Sequence, residues 1–134
     1  MTCSPVSPAS EIAARALALV GVPFRFKGRT PAGYDCIGLA AAALGTDEVA
    51  FDYHLRGNYR HRIEAKLAAL GLHRVDDPGR PGDILIVSAG PQQLHLMILT
   101  ASGFVHAHAG LRRVVLTPPP SPWPVIGQWR LLGE

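Results

Sequence analysis

The chain has 134 residues, of which 48% are apolar and 17% charged, enough to bury one core and too apolar for a disordered chain. Fourteen glycines and twelve prolines exclude a long helical bundle. Thirteen basic against ten acidic residues leave a net charge of +3 with no concentrated basic stripe, so no nucleic-acid partner is expected.

The whole chain, 1–134, reads as one domain with a flexible lead-in over 1–9. Ser10 is the expected N-cap of a first helix in which Ile12, Ala16, Leu19 and Val20 recur at helical spacing, and Gly21 with Pro23 ends it. Residues 22–34 read as a loop. Asp35 then caps a second helix through Cys36, Ile37, Leu39 and the alanines 40–43 to Gly45. Residues 46–57 read as loop, and Asn58 caps a third helix to Leu70. After Pro78 the pattern changes to short β-branched strands at Asp83–Val87, Leu94–Thr100, Gly103–His108, Arg112–Thr117 and Val125–Leu132. Five prolines between Thr117 and Pro124 keep that segment out of the sheet. Helices followed by consecutive strands predict an α+β fold, with N-terminal helices packed on a C-terminal antiparallel sheet.

No apolar run reaches the roughly 18–20 residues that span a bilayer, so no membrane partner is expected. The first apolar stretch contains Glu11 and Arg15, lacks a basic leader, and does not read as a secretory signal. Synthesis in the cytoplasm is the expectation. Two cysteines, Cys3 and Cys36, are too few for a disulfide framework.

Cys36 falls at a predicted helix N-terminus, where free N–H groups and the helix dipole stabilise a thiolate and can cradle an oxyanion. A buried cysteine acting as a small hydrophobe is the competing reading. Of six histidines, His54, His61 and His73 fall in polar surroundings. His95 lies in the apolar strand Leu94–Thr100, where a satisfied core histidine is the plain alternative. His106 and His108 share a face of the next strand, and the turn at Ala101-Ser102-Gly103 makes the two strands a hairpin that can bring His95 beside His106. A thiol, a strand histidine and a second polar group orienting it form a thiol-protease arrangement.

These pieces resemble the NlpC/P60 family of papain-like cysteine peptidases, which cleave peptidoglycan stem peptides. The matching segments are Val20–Gly28, Gly33-Tyr34-Asp35-Cys36-Ile37-Gly38-Leu39, Arg80-Pro81-Gly82-Asp83-Ile84, His95-Leu96-Met97-Ile98 and Phe104-Val105-His106-Ala107. Within the family, the helical insert over 46–79, Trp123 and the closing Gly127-Gln128-Trp129-Arg130 are similar to cell-wall peptidases of phage and gene-transfer-agent tails. The resemblance implies Cys36 as nucleophile, His95 as general base and His106 as the residue orienting it. Asp35 would cap the helix, and Phe24, Asp35, Ile37 and His108 would border the substrate and oxyanion region. It implies no metal and no cofactor, a stem-peptide substrate and a tail protein as possible carrier.

Two departures stand out. The family's Tyr twelve residues before the nucleophile is Phe24 here, without a hydroxyl, and the Ser that often follows the nucleophile is Ile37. The competing reading is therefore a catalytically weak or inactive tail-assembly or wall-binding module. A metal site of Cys36, His95, His106 and His108 is a further alternative, since His-x-His on a strand is a zinc element, although the ligands lack close pairing. A thioredoxin-like role is opposed by the lack of Cys-x-x-Cys, and a permuted lipid acyltransferase by Cys36 preceding His95.

Overall fold

The computed structural model describes residues 8–30, 32–45, 60–91 and 93–131. Along them run α1 (Pro8–Ala18), β1 (Arg29–Thr30), β2 (Gly33–Tyr34), α2 (Cys36–Leu44), α3 (Arg60–Ala69), β3 (Leu72–Val75), β4 (Ile84–Gly90), β5 (Gln93–Thr100), β6 (Gly103–His108), β7 (Arg113–Thr117) and β8 (Val125–Leu131). Six strands form one antiparallel sheet in the order β3-β8-β4-β5-β6-β7, with the helices packed on it. This is the α+β architecture expected from the order of helical and strand patterns.

α2 is apolar nearly all round, and Cys36, Ile37, Gly38, Leu39, Ala40, Ala41 and Ala43 are all buried. A helix with that composition must lie in the core. Asp35 Oδ1 accepts the Gly38 N–H at 2.8 Å, and Gly45, at φ 79°, closes the helix in the left-handed conformation. Gly38 also has a packing reason, because a Cβ there would collide with the Gly28 carbonyl oxygen. The Gly28 loop can therefore lie directly on the first turn of α2.

The sheet is buried on both faces at its centre. Ile84 and Ile86 of β4, Leu94, Leu96 and Ile98 of β5, and Val105 and Ala107 of β6 join Ile12, Ala16 and α2 in the main core. The alternate residues Leu85, Val87, Met97 and Phe104 form a second cluster on the other face, with Leu99 and Trp123 packed against it. Each such Ile or Leu contributes on the order of 1.5–3 kcal/mol on full burial. The second cluster explains why β4 reads as a continuous apolar run: both faces are covered.

Four local expectations need correction. Ser10 is not an N-cap, because the helix already includes Pro8 and Ala9, two residues of the expected lead-in. That helix ends at Ala18, before the expected Val20. Residues 22–34 are not simply loop: β1 and β2 pair there, and Phe24 bridges to Tyr34. The helical insert expected over 46–79 also carries a strand, since Leu72–Val75 pairs along β8 as an edge strand. The Asn58 cap and the loop over 46–57 lie outside the described residues.

Candidate active site

β5 and β6 are joined by a turn in which Thr100 Oγ1 donates to the Gly103 carbonyl at 2.8 Å and accepts the Ser102 N–H at 3.1 Å. Their ladder runs from Thr100↔Gly103 to Ile98↔Val105. Beyond it a cleft of about 630 Å³ opens, lined by Gln93, Leu94 and His95 on one side and Ala107, His108, Ala109 and Gly110 on the other. Asp35 and Cys36 from the start of α2, Phe24, Phe26 and Trp123 complete its walls. The thiol and the His95 imidazole thus border one cleft. Cys36 comes to it from the helix N-terminus, while the residue is only 3% exposed.

Strand alternation sets His95, His106 and His108 apart from the helix-facing residues Leu94, Leu96, Val105 and Ala107. His95 Nε2 lies 2.9 Å from His106 Nδ1, a hydrogen-bond separation in which the two rings share a proton. On its far side, His106 Nε2 lies 2.8 Å from Thr117 Oγ1 at the end of β7. His106 is 1% exposed and does not border the cleft. His108 does border it, and its Nδ1 accepts the Leu111 N–H at 3.0 Å.

Trp123 covers this group. Its ring stands edge-on to His95 at 5.3 Å and to His106 at 5.5 Å between centroids. Ser121 holds it there, donating its hydroxyl to the Trp123 carbonyl at 2.6 Å and accepting the Trp123 N–H at 3.2 Å. The proline-rich segment therefore forms the roof over both imidazoles. Burial first, then the neighbouring His106 and His108, push His95 down to about 3. Burial, then His108, push His106 down to about 4. Both rings are therefore neutral near pH 7 rather than standing cations.

Among the residues expected at the site, Cys36, His95, His108, Phe24 and Asp35 line the cleft, and His106 stands behind His95. Ile37 does not line it: its side chain packs between α2 and α3 beside Ile63 and Leu67. His61 and His73 are exposed, and His54 lies outside the described residues. Among the described residues no three His, Cys, Asp or Glu side chains converge as a metal-ion cage. Of the four residues of the metal alternative, His106 has both ring nitrogens engaged, Nδ1 with His95 and Nε2 with Thr117. Also among the described residues, no helix is long and apolar enough to cross a membrane. Thr117, Phe26 and Gln93 were not singled out by sequence. Thr117 reaches His106 only through the β6–β7 register, which no local pattern encodes.

Neither a family model nor a curated protein matches the sequence. Solved structures match in fold. NlpC1 from Trichomonas vaginalis superposes with a TM-score of 0.72 at 19% identity, over 99% of this chain and 47% of that one. The peptidoglycan hydrolase RipB from Mycobacterium tuberculosis gives 0.64 at 18% identity, over 95% of this chain and 66% of its own. RipD from the same organism, described as a non-catalytic NlpC/p60 domain protein adapted to peptidoglycan binding, gives 0.60 at 17% identity, over 96% and 100%. The chain spans about half the length of the first of these structures. Three helices on a six-stranded antiparallel sheet, superposing on these structures along nearly its whole length, give this chain the fold of the NlpC/P60 domain proteins.

Proposed function

We propose that this chain is a cysteine peptidase acting on peptidoglycan stem peptides, with Cys36 as nucleophile, His95 as general base and His106 orienting the base. The observation that carries the reading is the common cleft: Cys36 at the N-terminus of α2, His95 on the facing strand, and His106 bound behind it at 2.9 Å. A neutral His95 takes the thiol proton as the sulfur attacks the peptide carbonyl. Backbone N–H groups at the helix start are the nearest source of oxyanion stabilisation. The protonated His95 then gives its proton to the leaving amine, and water hydrolyses the resulting thioester.

The default bond is that between γ-D-glutamate and diaminopimelate, by resemblance to the NlpC/P60 peptidases. A tail protein of a phage or gene-transfer agent is the proposed carrier, delivering to the cell wall a domain made in the cytoplasm. The test is incubation of purified muropeptides with the parent and with Cys36→Ala, followed by mass spectrometry of the products. Parent-dependent cleavage that disappears in Cys36→Ala supports the peptidase. Equal absence of products from both refutes it.

A second reading has its own observation. Phe24 borders the cleft without a hydroxyl, where the peptidases of this fold carry Tyr by resemblance, so one oxyanion donor is missing. A stem-peptide-binding module that does not cleave is that reading, and RipD provides a precedent for such a use of the fold. Muropeptide binding without products distinguishes it.

A further inference from the structure

Thr117 lies outside the cleft lining, yet its hydroxyl ends the chain of side chains that begins at His95. We infer that Thr117 is a positioning residue: as acceptor of the His106 Nε2–H it permits the tautomer of His106 that leaves His95 Nδ1 basic.

A neutral imidazole carries one N–H. Each of the two contacts, His95 Nε2 to His106 Nδ1 and His106 Nε2 to Thr117 Oγ1, holds one proton between its heavy atoms. Only two arrangements satisfy both. In the first, the Thr117 hydroxyl donates to His106 Nε2, His106 Nδ1–H donates to His95 Nε2, and the remaining proton of His95 sits on Nδ1. In the second, His106 Nε2–H donates to Thr117, His106 Nδ1 accepts from His95 Nε2–H, and His95 Nδ1 keeps its lone pair. His95 Nε2 is occupied by His106 in both, so Nδ1 is the nitrogen left to receive a thiol proton. The second arrangement alone leaves it basic. It also keeps an acceptor behind His95 once that ring becomes an imidazolium, because His106 Nδ1 then still accepts the Nε2–H.

Thr117 makes the second arrangement tolerable. His106 is 1% exposed, so without an acceptor its Nε2–H would be a buried, unsatisfied donor. The pair would then revert to the first arrangement, in which only an acceptor lone pair goes unused. A hydroxyl is therefore required at position 117, and Ser meets the requirement while Val does not. The choice of the second arrangement rests on the peptidase reading, whereas the restriction to two arrangements rests on the contacts alone.

The test is long-range proton–nitrogen NMR on protein labelled at the histidine nitrogens, near neutral pH. The parent and Thr117→Ser are expected to show His95 and His106 both protonated at Nε2, and Thr117→Val to move both protons to Nδ1. With a muropeptide substrate, Thr117→Val is expected to lower kcat about tenfold to a hundredfold with KM unchanged, and Thr117→Ser to stay near the parent. An Nδ1–H tautomer of His106 in the parent overturns the inference, whether or not the variants fold. So does an unchanged tautomer pattern in folded Thr117→Val. A parent with the expected tautomers but no hydrolysis refutes the peptidase reading and leaves the tautomer assignment standing.

Discussion

His95 and His106 meet diagonally across β5 and β6, Nε2 to Nδ1 at 2.9 Å with their rings 86° apart. Continuing the backbone ladder from Ile98↔Val105 would set His95 opposite His108 instead. The side-chain contact thus selects the nearer-to-turn histidine, and His108 is left at the cleft border, bound to the Leu111 N–H.

This relationship predicts opposite outcomes for two similar variants. On the proposed mechanism, His106→Ala removes the group that holds the tautomer of His95, so turnover of a muropeptide should fall by about a hundredfold or more while the fold survives. His108→Ala should keep most of the turnover and change KM at most. Steady-state kinetics on both proteins, with circular dichroism to check folding, decides it. Loss of activity in His108→Ala with His106→Ala unaffected would reverse the assignment.

The helix that carries Cys36 was legible because its signals are local. Asp35 and Gly45 are cap residues, and the run of alanines between them fits only a buried helix. The strands after Pro78 were equally plain from their β-branched residues and turn punctuation. What sequence did not provide was non-local. Leu72–Val75 becomes a strand only because β8 lies beside it, and its own four residues are half exposed and weakly patterned. Thr117 was legible only as the last residue of a strand before a proline-rich loop, and its contact with His106 depends on which strand β7 pairs with. Ile37 was drawn toward the site by its neighbour Cys36, but the helical turn of 100° per residue sends its side chain into the core.

Acid should destabilise the protein through the paired histidines. Their folded values, about 3 for His95 and about 4 for His106, lie below the unfolded value of about 6.5. The unfolded chain therefore binds more protons below that pH. The stabilisation is complete above about pH 6.5 and is lost as pH falls toward the folded values, by on the order of a few kcal/mol. Calorimetric Tm at neutral pH and near pH 4 should drop further for the parent than for His106→Gln, which removes one of the two groups. Equal drops would mean that the buried pair does not govern acid stability.

A second stability prediction concerns β8. Arg130 Nε and Nη2 each lie 2.8 Å from an oxygen of Asp83, which is 0% exposed, and Nη1 and Nη2 reach Asp77 at 3.1 and 3.0 Å. The guanidinium fork matches two carboxylates at once, which a lysine ammonium does not. Arg130→Met should cost about 3–5 kcal/mol because Asp83 is left buried without its partner. Arg130→Lys should cost less, since a charge remains. Urea unfolding measures both. A cost below about 0.5 kcal/mol for Arg130→Met would show that the cluster does not hold β8 to the segment before β4.

Phe24 is the residue at which the peptidase and the binding-module readings diverge. It is fixed in place by its N–H, which donates to the Arg112 carbonyl at 2.9 Å, and by its bridge to Tyr34. Its ring borders the same cleft as Cys36 and His95. If the remaining machinery is competent, what the site lacks is a hydroxyl donor to the oxyanion. Phe24→Tyr adds one on a ring of the same shape, so packing is nearly unchanged. A donor that acts only on the developing oxyanion raises kcat rather than lowering KM. The expected gain is about tenfold to a hundredfold in kcat, at the lower end of what one oxyanion donor contributes. The measurement is release of product from a defined muropeptide by the parent, Phe24→Tyr and Phe24→Tyr with Cys36→Ala. A gain that vanishes with Cys36 places the hydroxyl in the catalytic step of a working peptidase. No turnover in either the parent or Phe24→Tyr, with muropeptide binding retained by both, leaves the binding module as the function of the cleft.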